Sequence, residues 1–390
     1  MVCAELQPLD AFTAKLIICR SFVLETDSKF AEKLLEQLKT GDKQTVYTVL
    51  RKFSGKLKHA YTERPVWFVE NLPLIGYNAF GIIDRGTNIL QVRPITGCNL
   101  SCIFCSVDEG KLSRTRINDF VVKLEDLVAW YREVASVKRS KVEAHIDGQG
   151  EPLIYPWFRD LVQALAEEEK TRIVSFQTNG TLLTEELIYE LADMPKPVRV
   201  NLSLNTLDPV LAARIHGAPV DLQKILELLE LMIELKKQGK LDVLLAPLYL
   251  PGINDEDIPR IIERYAVGKG LLVLVQKFEK YKLGRVPKLR EYQDWREFFA
   301  WLKQLEQKYK VPLVIDWQQM FGTQRDVRYP IRLDRKIIEI VFPGRTSQEY
   351  IGVVDRKYLI MVYSTRKLEQ GDVLRARKIN FNDSILYTYV

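Results

Sequence analysis

Three cysteines fall within one short loop, Cys98-Asn-Leu-Ser-Cys102-Ile-Phe-Cys105, in a chain of 390 residues that has 5 cysteines in all. The CxxxCxxC spacing, with an aromatic residue before the third thiol, suits three corners of one [4Fe-4S] cluster. Such a cluster has four irons, so three protein thiolates leave one iron open to a small molecule. An electron-transfer cluster is normally closed by a fourth cysteine, whereas an open iron implies chemistry. Structural zinc fits less well. It takes four ligands, usually in pairs, and the other candidates, Cys3, Cys19, His59, His145 and His216, form no second pair. A disulfide framework is disfavoured by the crowding of the thiols into one loop.

The elements that must position this loop can be read from periodicity. A hydrophobic content of 47% over 390 residues supplies one sizeable core with one or two small domains. No apolar run approaches the ~20 residues of a membrane span, and no signal-peptide pattern opens the chain, so a cytoplasmic location without a membrane partner is expected. Residues 1–88 read as a mainly helical region. Ser28 and Lys29 open an amphipathic run through Phe30, Leu34, Leu35 and Leu38 that stops at Gly41, and Val46, Val49, Leu50 and Phe53 follow at helical spacing. Cys3 and Cys19 read as buried or incidental thiols there.

From residue 89 the pattern becomes strand then helix, repeated. Strands are expected at 89–95, 142–147, 173–178, 198–204, 243–249 and 271–278. Helices are expected at 124–134, 157–168, 185–192, 222–237 and 258–265, with a further helix at 295–309 and a short strand at 311–315. β-branched runs separated by amphipathic helices indicate a parallel sheet covered by helices, whose reactive loops gather at the C-terminal ends of the strands. The polar motifs fall at those ends. The cysteines follow the first strand, Gly148-Gln149-Gly150-Glu151-Pro152 the second, Thr178-Asn179-Gly180 the third, and Ser203-Leu204-Asn205 closes the fourth.

With these motifs in that order, residues 89–280 resemble the radical S-adenosylmethionine (SAM) superfamily, in its molybdenum-cofactor-cyclase-like branch. The resemblance implies an α/β fold: a partial (β/α)6 barrel at 89–328, preceded by the region 1–88 and followed at 331–390 by a small TRAM- or OB-like β-barrel. It implies that Cys98, Cys102 and Cys105 bind a [4Fe-4S] cluster and that SAM occupies the open iron. Phe104 would pack on the adenine. Gly150, Glu151 and Pro152 match the "GGEP" element that receives the SAM ammonium, with Gln149 in place of its first glycine. Thr178 and Asn179 match "TTNG", with Gln177 in place of the first Thr. Ser203 and Asn205 match "SLD", whose side chains bind ribose and carboxylate, with Asn205 replacing Asp. Pro251-Gly252-Ile253-Asn254-Asp255 reads as the turn into the fifth helix, with Asn254 or Asp255 as its N-cap. The implied reaction is reductive cleavage of SAM to a 5′-deoxyadenosyl radical that takes a hydrogen atom from a substrate.

Charge suggests the substrate. Residues 277–290 carry six basic residues and one acidic, and Lys277, Lys280, Lys282 and Arg285 should reach the rim of the active face, with Lys111, Arg114 and Arg116 nearby. From 331 to 390 there are 11 Lys and Arg against 7 Asp and Glu, which is +4 of the chain's +6. Strands are expected there at 337–342, 350–354, 358–363, 373–379 and 385–390, and Gly371-Asp372-Val373 matches a recurrent TRAM turn. The chain also resembles an archaeal group of radical SAM proteins with a C-terminal TRAM-like domain, and with the basic charge this resemblance implies an RNA-modifying enzyme acting on tRNA or rRNA, reduced by a ferredoxin or flavodoxin, as the first expectation. Two others stay open: a radical SAM enzyme acting on a small phosphorylated or pterin-like metabolite, and a non-catalytic iron-sulfur or zinc RNA-binding protein.

Overall fold

Aliphatic residues alternate with polar ones along four successive segments, and each segment is a strand buried on both faces. In the computed structural model, which describes residues 4–10, 12–39 and 41–390, these segments pair in parallel. One six-stranded sheet runs Asp242–Leu245, Val198–Leu202, Thr171–Thr178, Val142–Ile146, Ile89–Arg93 and Gly81–Asp84, the last pair antiparallel. Val174 sits opposite Val198 and Val200 opposite Val243, which fixes the register. Ala144, Val174, Phe176, Val200 and Leu202 are buried in the hydrophobic core. The alternate positions Glu143, His145, Arg199 and Asn201 line an interior cavity instead.

The helices Leu124–Ser136, Phe158–Glu167, Glu185–Ala192 and Leu222–Lys237 follow the strands as expected, and Asp257–Ile261 passes into a π-helical turn, Ile262–Val267. At the C-terminal end two short parallel pairs prolong the barrel, Thr96–Gly97 with Gln149–Gly150 and Leu248–Tyr249 with Gln276–Lys277. The sixth strand, expected at 271–278, is reduced to this second pair and a bridge between Leu245 and Val273. A helix absent from the sequence expectations, Pro209–His216, lies between the fourth strand and its covering helix.

Helix Trp295–Tyr309 opens on a full capping box formed by Asp294 and Glu297. The strand expected at 311–315 does not form. The N–H groups of Leu313 and Val314, which a ladder would need, both donate to the Glu306 carboxylate at 2.6 and 2.8 Å. The chain then makes a short helix, Trp317–Phe321, latched under the barrel by Asn88 and Arg172, which donate to the carbonyls of Gly322 and Phe321.

The N-terminal region is mixed rather than mainly helical. The two expected helices are present as Ser28–Leu38 and Lys43–Lys52, but they pack beside an antiparallel sheet of Ala4–Pro8, Thr13–Ile18, Phe22–Asp27 and Lys58–His59. Cys19 is disulfide-bonded rather than an incidental thiol; Cys3 lies outside the described residues.

The C-terminal region has six strands where five were expected, because the stretch 373–379 divides into Val373–Arg375 and a separate strand, Asn380–Asn382. The order is Val373–Arg375, Ile337–Pro343, Glu349–Val354, Tyr358–Tyr363, Ile385–Tyr389, Asn380–Asn382. The two edge strands do not pair with each other among the described residues, so the ladder is an open sheet rather than a closed small barrel. This sheet docks on the barrel through backbone hydrogen bonds from Leu359 to Ile75 and from Leu386 to Gly76, each 2.8 Å. Gly76, at φ +115°, has no room for a side chain: a Cβ would lie 1.9 Å from the Leu359 carbonyl oxygen.

Candidate active site

The cluster loop leaves the first strand at Thr96–Gly97, and backbone contacts shape it more than side chains do. The N–H groups of Ser101 and Ile103 donate to the carbonyls of His216 and Ile215, both at 2.9 Å. These are carbonyls at the C-terminal end of helix Pro209–His216, which lack intrahelical partners. Gly217 ends that helix in the left-handed conformation, and a Cβ there would strike the Ser101 carbonyl at 2.5 Å. The signal for this helix was present in the sequence as an Asp208-Pro209 start and a Gly217 stop.

The loop brings Cys98, Cys102 and Cys105 to one cavity of about 350 Å³, together with Phe104, Gly150, Ser203 and Asn205. Burial, and then the neighbouring thiols, raise the Cys98 and Cys102 pKa values, Cys102 to about 12. The backbone N–H of Leu100 donates to the Cys98 sulfur at 3.4 Å, and that of Glu109 to the Cys105 sulfur at 3.2 Å. Thiols that crowd one another and already receive N–H donors fit a cationic iron–sulfur group, which would hold them as thiolates.

The remaining motif residues divide into those that face the cavity and those that brace it. Gly150 lies against Gly97 so closely that a Cβ would fall 1.7 Å from its carbonyl oxygen, which explains the glycine on close-approach grounds. Glu151 does not line the cavity. Its buried carboxylate accepts from the Leu153 N–H, the Thr178 hydroxyl and the Asn179 N–H, tying the second loop to the third, and burial pushes its pKa up to about 7. Pro152 starts the 3-10 turn after it. The Asn179 amide donates to Asn99 at 3.0 Å, which extends the brace to the cluster loop. Ser203 accepts from Gln177 at 2.9 Å. Asn254 is a buried staple rather than an N-cap, donating to the Asn205 and Leu248 carbonyls; Glu256 holds the N-cap position and makes no side-chain capping bond.

Two of the three departures from the family motifs, Asn205 and Gln149, have local reasons. Asn205 accepts from the Leu248 N–H at 2.7 Å through Oδ1 and lies 3.2 Å from His216 Nε2 through Nδ2. With a neutral imidazole accepting at Nε2, an amide can make both bonds and a carboxylate cannot. Gln149 accepts at 2.8 Å from Arg345, a fully buried residue of the C-terminal region. Arg345 also pairs with Glu109, which Arg64 reaches at 2.6 Å; Arg64 in turn pairs with Asp119 at 3.0 Å, and Arg285 with Asp108 at 3.5 Å. Three cations thus balance three carboxylates behind the cluster loop. The sequence expectations missed Arg64, Glu109, Asp119 and Arg345, because no local spacing marks partners so far apart in the chain.

The four cations expected to bind substrate separate. Lys277 lines the cavity but pairs with Glu279 at 3.0 Å and sits over the Trp295 ring. Arg285 is drawn inward onto the Glu109 carbonyl and Asp108. Lys280 and Lys282 remain exposed beside Tyr281, which lines the cavity. Lys111 pairs with Glu63, and Arg116 donates to the Val107 carbonyl.

Buried histidines make the fold acid-sensitive. Burial lowers the pKa of His59 and His216 to about 4, and lowers that of His145. A folded pKa below the unfolded value means that the folded state binds fewer protons, so this stability is complete above pH 6.5 and is lost as pH falls toward 4. Urea midpoints of metal-free protein should drop through that window by the equivalent of a few kcal/mol. A flat midpoint would contradict the neutral burial of these rings.

The barrel segment of this chain is a radical SAM domain. The superfamily's model matches residues 92–265. Uncharacterized protein MJ0103 of Methanocaldococcus jannaschii is 39% identical over 363 residues, 85% of this chain and 82% of that one. GTP 3',8-cyclase of Peptoclostridium acidaminophilum is 32% identical over 176 residues, 45% of this chain and 50% of the cyclase. The chain therefore spans about half the length of that cyclase. The solved structure "Native anSMEcpe with bound AdoMet" aligns with 69% of this chain and 77% of its own at TM-score 0.43 and 15% identity. Cys98, Cys102 and Cys105, with Phe104, Gly150, Ser203 and Asn205, line the cavity that would take the superfamily's [4Fe-4S] cluster and SAM. No helix among the described residues is long and apolar enough to cross a membrane.

Proposed function

We propose that this radical SAM enzyme takes hydrogen from a nucleotide unit of RNA, tRNA or rRNA, that the C-terminal region helps to hold. When bound, cluster and SAM supply a 5′-deoxyadenosyl radical; the protein orients the substrate beside it and keeps water out. The observation that carries the RNA reading is a cavity of about 560 Å³ lined by Arg335, Lys336, Arg375 and Arg377, with Asp334 as its one acidic residue. Asp334 is already paired with Lys357 at 2.6 Å, so four cations face the cavity against a carboxylate that is engaged elsewhere. The same sheet exposes Phe381 and Tyr389, 67% and 71% accessible. A cationic cavity and exposed aromatic rings on one sheet suit a single strand, whose phosphates and bases use both. The electron comes from a low-potential carrier such as ferredoxin or flavodoxin, in the cytoplasm.

RNA affinity of the full chain should fall in an Arg375→Glu/Arg377→Glu variant, with the salt slope reduced by about 0.7 for each phosphate that is no longer neutralised. Equal affinity and equal slope would remove the C-terminal region from substrate binding. Nucleoside mass spectrometry of tRNA and rRNA from cells lacking the gene then identifies the product. A second reading, a free nucleoside phosphate as substrate, is supported by the similarity to GTP 3',8-cyclase. Consumption of GTP by reduced enzyme in the presence of SAM would favour it.

A further inference from the structure

Beneath the cluster cavity the barrel encloses a second chamber, of about 150 Å³, and Gln177, Ala246 and Gln276 line both. The two spaces adjoin through these shared wall residues, the chamber lying deeper along the strands. Its polar wall is organised by a chain of hydrogen bonds. Arg199 pairs with Glu143, whose Oε1 also accepts from the Ser175 hydroxyl at 2.6 Å, and His145 Nδ1 lies 2.7 Å from Ser175 Oγ. Because Ser175 spends its proton on Glu143, it accepts from His145, which places the imidazole proton on Nδ1 and leaves Nε2 as a bare acceptor.

Two further polar atoms on this wall, Glu143 Oε2 and the Thr323 hydroxyl, are buried without a hydrogen-bond partner among the described residues. Arg172 lies 3.8 Å from Glu143 Oε2, too far for a hydrogen bond. An unsatisfied buried carboxylate oxygen is costly and is expected to have a partner. The floor is flat and aromatic: Phe321 stacks on the Arg199 guanidinium at 4.6 Å, and Trp317 lies beside it at 5.3 Å between ring centroids. At ~30 Å³ per water the chamber has room for about five waters, which is the scale of one heterocycle.

We propose that this chamber is the anchoring subsite for the substrate, and that it takes a planar nitrogen heterocycle through an edge bearing N–H donors, as an amino-substituted nucleobase does. Glu143 Oε2 and His145 Nε2 supply the acceptors, Thr323 gives or takes a third bond, and Phe321 and Trp317 provide the stacking face. An RNA substrate would reach it by turning a single base out of its strand. The inference rests on the nucleotide reading of the substrate and specifies which part of the nucleotide enters the barrel.

The test uses the cluster-loaded full chain saturated with SAM and measures binding of guanosine, adenosine, cytidine and purine riboside by calorimetry. At least one amino-bearing nucleoside should bind at least about tenfold more tightly than purine riboside, which lacks the amino group. Glu143→Gln should remove that preference. Thr323→Val, on a segment outside the core, should weaken binding about threefold or more with unchanged melting. A preference that survives both substitutions, equal affinity for purine riboside, or no binding of any nucleoside overturns the subsite. If the preference holds but RNA does not bind, only the RNA reading fails. If RNA is modified yet neither variant alters nucleoside binding, only the subsite fails.

Discussion

Replacing Cys102 with alanine is expected to bring release of 5′-deoxyadenosine from SAM down to the level seen without enzyme, in iron- and sulfide-loaded protein reduced with dithionite. The effect is large because no other thiol among the described residues can substitute. Cys98 and Cys105 occupy their own positions around the cavity, and Cys19 is engaged in a disulfide in the turn of the N-terminal sheet. Structural damage would not explain such a loss. The loop is fixed by backbone bonds from Ser101 and Ile103 to the helix that ends at His216, and these do not involve the Cys102 side chain. Unfolding free energy of the metal-free variant should therefore stay within about 1 kcal/mol of the parent. Iron content and 5′-deoxyadenosine, measured together, check the assignment. A variant that still cleaves SAM would remove Cys102 from the cluster.

Arg345→Met should destabilise the fold by about 3–5 kcal/mol. Its side chain is fully buried, donates to Gln149 and pairs with Glu109. Methionine fills much of the volume but leaves the local balance at two cations against three carboxylates, next to the sulfur of Cys105, which the Glu109 backbone contacts. Glu109 keeps Arg64 as a partner, so Glu109→Gln in the same chain should restore part of the lost stability. A double-mutant cycle on the urea midpoint, read beside iron retention, measures that coupling. Additive losses would mean that the two residues act independently of each other.

What could be read from residue order was what local spacing encodes. The thiol loop, the glycine-bearing turns and helices such as Glu185–Ala192, Leu222–Lys237 and Trp295–Tyr309 depend on neighbours a few positions apart, and the expected and observed spans agree there. The N-terminal sheet was missed although Ala14, Leu16 and Ile18 alternate at period two and are buried. Its turn is made by Cys19 and Arg20 at φ +48° and +60°, where glycine or asparagine would have announced it. Gln149 and Asn205 stand where the family motifs have other residues. Each is matched to a partner, Arg345 or His216, that only the folded chain brings near. The short helix under the barrel was hidden for a similar reason, since Glu306 diverts the backbone just before it.

Arg345 also sets an order of events during synthesis. The barrel strands leave the ribosome well before residue 345, and the docking bonds at Leu359 and Leu386 come later still. A nascent chain therefore carries its three thiols on a loop whose third counter-charge has not yet been translated. Iron delivery should wait until the C-terminal sheet has docked, so the maturation machinery meets a finished fold rather than an emerging one.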